Sequence, residues 1–178
     1  MLQPPGTGTL AEQFRALERR IEELARPKAM LPVCVIRLNS NVGLAANVDT
    51  FAQTGWSASY DPFGMYVPGA AGVSAYIQIE RAGYYRVHFH SAIGAANAVA
   101  GAKVTLNAAN VNNSIATDSG QIPQQGGDGA VLDAIRSRTY LNLGDKLYWS
   151  NWCFAAATLY GSSLGVPSEI TVQYSSSL

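Results

Sequence analysis

His88 and His90 are the side chains of this chain best suited to chemistry, because imidazole ligates metals and moves protons near neutral pH. They stand at i and i+2 in YYRVHFH, so on a strand both rings leave the same face. The following SAIGAANAVAG supplies no nearby carboxylate to complete a metal set with them. No third histidine exists. The expectation is therefore no metal and no cofactor, with the two rings packing among aromatics or lining a pore between subunits. An ion on a three-fold axis would need only one of them per chain and stays open.

Other constellations are weaker still. Asp118, Asp128 and Asp133 flank DSGQIPQQGGDG, but no D-x-D-x-D-G run appears, and calcium needs its oxygens at such fixed spacings. A solvated loop is the expectation there. No G-x-S-x-G elbow accompanies the serines, and no glycine-rich loop leads into a helix to cradle phosphate. Two carboxylates could meet in space for glycoside cleavage, but four of the 12 acids sit in one short N-terminal segment. No catalytic residue is assigned, and no enzyme is expected. Cys34 and Cys153 lie in the apolar runs LPVCVIRL and YWSNWCFAAA, which reads as buried thiols, with a disulfide between them as the alternative. Trp56, Tyr60, Phe63 and Tyr66 crowd into GWSASYDPFGMYV. They read as core and inter-subunit packing, or as flat faces for a carbohydrate or partner. Trp149, Trp152 and Phe154 read as a strand core.

The elements that would carry these residues divide the chain unevenly. Residues 1–8 (MLQPPGTG) form a proline- and glycine-rich arm with no reason to fold alone. Thr9 and Glu12 then make a T-x-x-E capping box. Leu10, Phe14, Leu17, Ile21 and Leu24 follow at heptad spacing, with Phe14 and Ile21 at a and the three leucines at d. Pro27 ends the helix, since the residue before proline disfavours helical geometry. The seam is narrow and its flanks fully polar, which favours a trimerising coiled coil over residues 9–26, although an amphipathic helix lying on its own domain fits as well. A coil this short is marginal alone and needs help from the rest of the chain.

After a linker at 27–31 the pattern changes to short β-type runs broken by turn residues. Strands are predicted at Pro32–Leu38, Val73–Glu80, Tyr84–Ile93, Ala102–Leu106, Val131–Arg138, Leu147–Phe154 and Glu169–Tyr174, with others inside Asn47–Tyr60 and Val111–Thr117. Many short strands with regular turns imply one all-β sandwich or barrel over 32–178.

Composition excludes several partners. The chain carries 12 basic and 12 acidic side chains, and nine of these charges fall in the first 28 residues. With no cluster of Lys or Arg beyond that segment, nucleic acid is not expected. No apolar run approaches 18 residues, so no membrane insertion is expected. The opening MLQPPGTGTL lacks the basic start and apolar stretch of a signal peptide. The expectation is a cytoplasmic life, or release inside a virus particle. A β-domain sparse in charge suits packing between subunits, where burying unpaired charge is costly.

Three stretches carry a family resemblance. VIRLNSN and NVDTFAQTGWSASYDPFGMYV resemble an opening strand, a crossing segment and a Tyr-Asp loop. YIQIERAGYYRVHFHSAI is similar to a strand, tight glycine turn and aromatic strand, carried by Gly83, Tyr84 and Tyr85. YLNLGDKLYW is similar to a "LxLxxGDxVxL" run, carried by Leu141, Leu143, Gly144, Asp145, Leu147 and Trp149. Together they resemble the C1q/TNF-like jelly roll, which implies a trimeric ten-stranded sandwich. The segment between Ala92 and Ser137, rich in Ala, Asn and Gly, departs most from the pattern. A LERRIEEL coil ahead of such a domain resembles the minor tail and surface proteins of phages that infect actinobacteria. That likeness implies a homotrimeric virion protein, assembled in the host cytoplasm. It would attach to other virion proteins through its N-terminal arm and helix, with host cell-wall glycan as a further partner. A capsid decoration protein or head fibre is the alternative, and a soluble C1q/TNF-like receptor-binding ligand the second.

Overall fold

A computed structural model describes residues 31–94, 98–122, 130–161 and 167–176 of the chain. The coiled-coil seam Leu10, Phe14, Leu17, Ile21 and Leu24 lies outside the described residues, as do the arm and Asp128.

Thirteen strands and one 3-10 turn make up the described elements. They run β1 (Val33–Leu38), β2 (Val42–Leu44), β3 (Thr50–Phe51), β4 (Trp56–Tyr60), β5 (Tyr66–Val67), β6 (Tyr76–Gln78) and β7 (Gly83–Gly94). After these come β8 (Ala98–Leu106), the turn Val111–Asn113, β9 (Ser114–Ile122), β10 (Ala130–Leu141), β11 (Lys146–Cys153), β12 (Ala157–Leu159) and β13 (Glu169–Ser176). All the pairings are antiparallel, and they form two sheets. The first sheet runs β2-β12-β7-β13-β1-β4, with β10 also pairing β7. The second runs β5-β6-β11-β8-β9, with β3 also pairing β11. Neighbours far apart in sequence, such as β1 with β13 and β7 with both β10 and β13, are the crossed connections of a jelly roll. The fold is an all-β, jelly-roll-like sandwich.

Alternation fixes what lies between the sheets. From the first, Cys34, Ile36 and Leu38 point inward with Tyr85, Val87, Phe89, Ile170 and Val172. From the second, Leu147, Trp149, Ala100, Ala102, Val104 and Ile77 meet them. Trp149 anchors this core, edge-on to Trp56 with ring centroids 5.3 Å apart. Asn151, 1 % exposed, donates from Nδ2 to Ser91 Oγ at 2.5 Å, so a satisfied polar bridge joins the two sheets inside an apolar core.

Two glycines of the resembling stretches are required by local geometry. A Cβ on Gly83 would lie 2.5 Å from the Tyr174 ring and 2.8 Å from the Ser176 carbonyl oxygen, so β7 can pass β13 there only without a side chain. Gly144 takes φ 85°, in the left-handed region, inside a turn that Asp145 closes by accepting from the Asn142 amide at 2.8 Å.

Several boundaries differ from the sequence reading. β8 begins at Ala98 rather than Ala102, because pairing with β11 and β9 on both sides makes a strand of a run of Ala and Gly, with Gly101 lying directly under the Trp152 ring. Val73 forms only an isolated bridge to Ala70, and the strand there shrinks to Tyr76–Gln78. Asp118 stands in β9 instead of a solvated loop, whereas Asp133 stands in β10, within the strand expected at Val131–Arg138. Phe154 is 59 % exposed and stacks on Trp152 outside the sandwich, because β11 ends at Cys153.

Candidate functional site

The outer face of the first sheet gathers His88, His90, Asp133 and Tyr60. Its registers place residues in lateral rows across five strands. One row runs Ser57, Arg37, Glu169, His90 and Asp133 across β4, β1, β13, β7 and β10. The next runs Tyr60, Val35, Thr171, His88 and Ile135. Cross-strand neighbours in such rows lie close enough for side chains to interact.

In the first row the charges pair. Arg37 Nε donates to Glu169 Oε2 at 2.5 Å, and the other oxygen of Glu169 accepts from Thr171 Oγ1 at 3.1 Å. On the other side of His90, Asp133 Oδ1 lies 2.9 Å from His90 Nδ1. His88 reaches diagonally from the neighbouring row, with Nε2 at 2.7 Å from the same oxygen. Partial burial pushes the Asp133 carboxyl up, but the hydrogen bonds from His88 and His90 outweigh it and hold the group below the usual carboxylate range. The Asp133 backbone is fixed in turn, its amide donating to Asp118 Oδ2 at 2.8 Å. His90 Nε2 is buried with no hydrogen-bond partner among the described residues.

The carboxylate that the H-x-H pair lacks downstream is therefore supplied by Asp133, 43 residues further along the chain. Antiparallel pairing of β10 with β7 puts Asp133 opposite His90. Nothing local marks it, since the alternation in VLDAI shows that Asp133 shares a face with Val131 and Ile135 but not which strand will lie beside them.

The aromatic cluster of GWSASYDPFGMYV does not form one surface. Trp56 faces the core at 7 % exposure, while Tyr60 is 47 % and Phe63 38 % exposed. Simple alternation would put Trp56 and Tyr60 on one face; an irregularity in the β1–β4 register between Val35 and Ile36 turns Tyr60 to the other. Tyr66 is half-buried and donates its hydroxyl to the Trp56 carbonyl at 3.0 Å; burial pushes its pKa up. Asp61 organises the intervening loop, accepting from the amides of Met65 and Tyr66 at 2.9 and 2.8 Å. Trp56 lines a shallow cavity of about 150 Å³ with Leu44, Phe51, Trp149 and Leu159.

Both cysteines are free and buried, Cys34 in the first sheet and Cys153 in the second. Burial pushes the Cys34 thiol well up and the nearby Asp61 carboxylate adds to the effect, so Cys34 is no thiolate nucleophile at neutral pH. Tyr85 is pushed up to about 12, chiefly by burial, and its hydroxyl donates to the Arg81 carbonyl at 2.6 Å.

The outer face of the second sheet was not anticipated as a unit. Tyr76 packs on Tyr148, with the Lys146 ammonium 4.7 Å from the Tyr76 ring centre. Trp152 packs on Phe154 and lies beneath Lys103, whose ammonium also pairs with Asp49 at 2.9 Å.

No family model and no curated protein matches the sequence. Solved structures do match the fold. The Eiger TNF structure from S. frugiperda aligns with TM-score 0.58 at 9 % identity, covering 83 % of this chain and 94 % of that one. Murine APRIL at pH 5.0 aligns with TM-score 0.53 at 11 % identity, covering 80 % and 99 %. Its pH 8.0 form gives 0.53 at 8 % identity, covering 82 % and 100 %. At such identities the likeness establishes a TNF-like jelly-roll fold.

Proposed function

We propose that this chain is a non-enzymatic, self-associating module, a homotrimeric minor tail protein of a tailed phage that helps build the particle and contacts the host surface. The observation that carries self-association is β10. This twelve-residue strand pairs with β7 on one side, lies beside β9 on the other, and exposes Val131, Ile135 and Tyr140 at 50, 47 and 41 %. Exposed apolar side chains along one strand are a surface that another chain can cover. The heptad seam of residues 9–26 supports the same reading, since a coil that short needs a second contact of this kind. The virion assignment rests on the likeness of that coil-plus-jelly-roll plan to phage tail and surface proteins, a plan that a capsid decoration protein or head fibre would share.

The likeness to Eiger TNF and APRIL favours a second reading, a soluble receptor-binding ligand of the same architecture. Light scattering on the full chain tests the shared premise. A species of three times 18.9 kDa is expected, with Ile21→Asp and Ile135→Asp each shifting it toward single chains while the circular dichroism of the sandwich persists. A monodisperse single chain would overturn the reading. Antibody labelling of purified particles then separates tail from head. Labelling of neither, together with binding to a cell-surface protein, moves the assignment to the ligand.

A further inference from the structure

We propose that His88, His90 and Asp133 form an intrachain site for one divalent transition-metal ion of the zinc type. The ligands all come from one chain, although Val131 and Ile135, the side chains offered above to another chain, flank Asp133 on the same face. Three observations carry it.

The first is convergence. One donor atom from each residue lies within 4.8 Å of the other two, and both ring nitrogens contact the same oxygen, Asp133 Oδ1, at 2.7 and 2.9 Å. Ligands of a tetrahedral zinc ion at about 2.0–2.2 Å from the metal stand roughly 3.3 Å from each other, so opening these contacts by about half an ångström makes room for an ion. The Asp133 side chain, 43 % exposed, has room to make that movement.

The second is chemistry. Two imidazoles and one carboxylate are the donor set of zinc and other first-row divalent ions, whereas calcium and magnesium prefer oxygen alone. Three protein ligands leave a fourth position for water or for a group from a binding partner. The site is reachable, with side chains of His88, His90 and Asp133 exposed by 33, 24 and 43 %.

The third is scaffolding. His88 and His90 project from the middle of β7, which β10 flanks on one side and β13 on the other, and Asp118 clamps the backbone of Asp133. The remaining acid beside His90, Glu169, is occupied at both oxygens by Arg37 and Thr171. It therefore does not compete for the ion. The outer support is thin, since His90 Nε2 has no partner among the described residues to fix its ring. Affinity is therefore expected below that of a fully supported structural zinc site.

Titration of the full chain with Zn²⁺ alone, and with Co²⁺ read by its visible absorption, tests the site. One ion per chain is expected, with shifts of the His88 and His90 imidazole ¹⁵N resonances. His88→Gln and Asp133→Asn should each weaken binding by more than about a hundredfold, beyond the 10–100-fold range of losing an outer-shell partner. Circular dichroism of each variant verifies the fold, and either variant alone suffices if the other misfolds. Absence of binding, undiminished binding in a folded variant, or one ion per three chains would overturn the intrachain site.

Discussion

The two outer faces of the sandwich are built from the same alternation and differ in where polar atoms gather, although the first also carries a ring pair, Tyr84 on Tyr140. On the second sheet, the side chains that leave the core are large rings that cover one another, Tyr76 on Tyr148 and Trp152 on Phe154, with Lys146 and Lys103 lying over them. Lys103 also meets the Asp49 carboxylate at 2.9 Å. On the first sheet, donors and acceptors meet across strands, with His88, His90 and Asp133 at one end of a row and Arg37 with Glu169 further along it. An aromatic face stabilises by excluding water, whereas a face of half-buried ionisable groups contributes little to stability and offers atoms to something else.

Substitutions can break or sharpen that contrast. The largest effect belongs to the core that both faces share. Trp149→Ala should cost about 3–5 kcal/mol, read as a lower midpoint in urea unfolding, because a fully buried indole leaves a cavity. Trp152→Ala should cost about 1–2 kcal/mol in the same assay, as the half-buried ring loses its contacts with Phe154 and Lys103. Asp133→Asn should cost less than about 1 kcal/mol, since a partly exposed ion pair is screened by solvent. If Asp133→Asn proved the more damaging of these two, the division of labour between the faces would be wrong. The smallest change belongs to Phe154→Ser, within about 0.5 kcal/mol either way, because that ring is largely in solvent.

Much of the fold was legible in the residues. The inward positions of β7 and β13 follow directly from alternation in GYYRVHFHSAI and EITVQY. The glycine turns at Gly83 and Gly144 were legible because a turn or close approach demands a particular residue type. Less was legible where small residues dominate. β8 and β9 lie in a stretch of Ala, Gly, Asn and Ser whose strand character comes from the neighbours it must fit rather than from its own propensity. The aromatic cluster misled for a different reason. A single register irregularity beside Tyr60 separates it from Trp56, and such bulges have no reliable mark in a sequence.

By itself the sequence determined that His88 and His90 share a strand face, that the β-region is one all-β sandwich or barrel, and that its two cysteines sit in apolar runs. All three are local properties, set by a two-residue period and by side-chain polarity. Only the tertiary structure decided that Asp133 would stand beside those histidines, that Glu169 would be engaged with Arg37, and that Tyr60 would join the same face. Strand pairing brings together residues from distant parts of the chain, and which edges meet depends on the packing of all the strands at once.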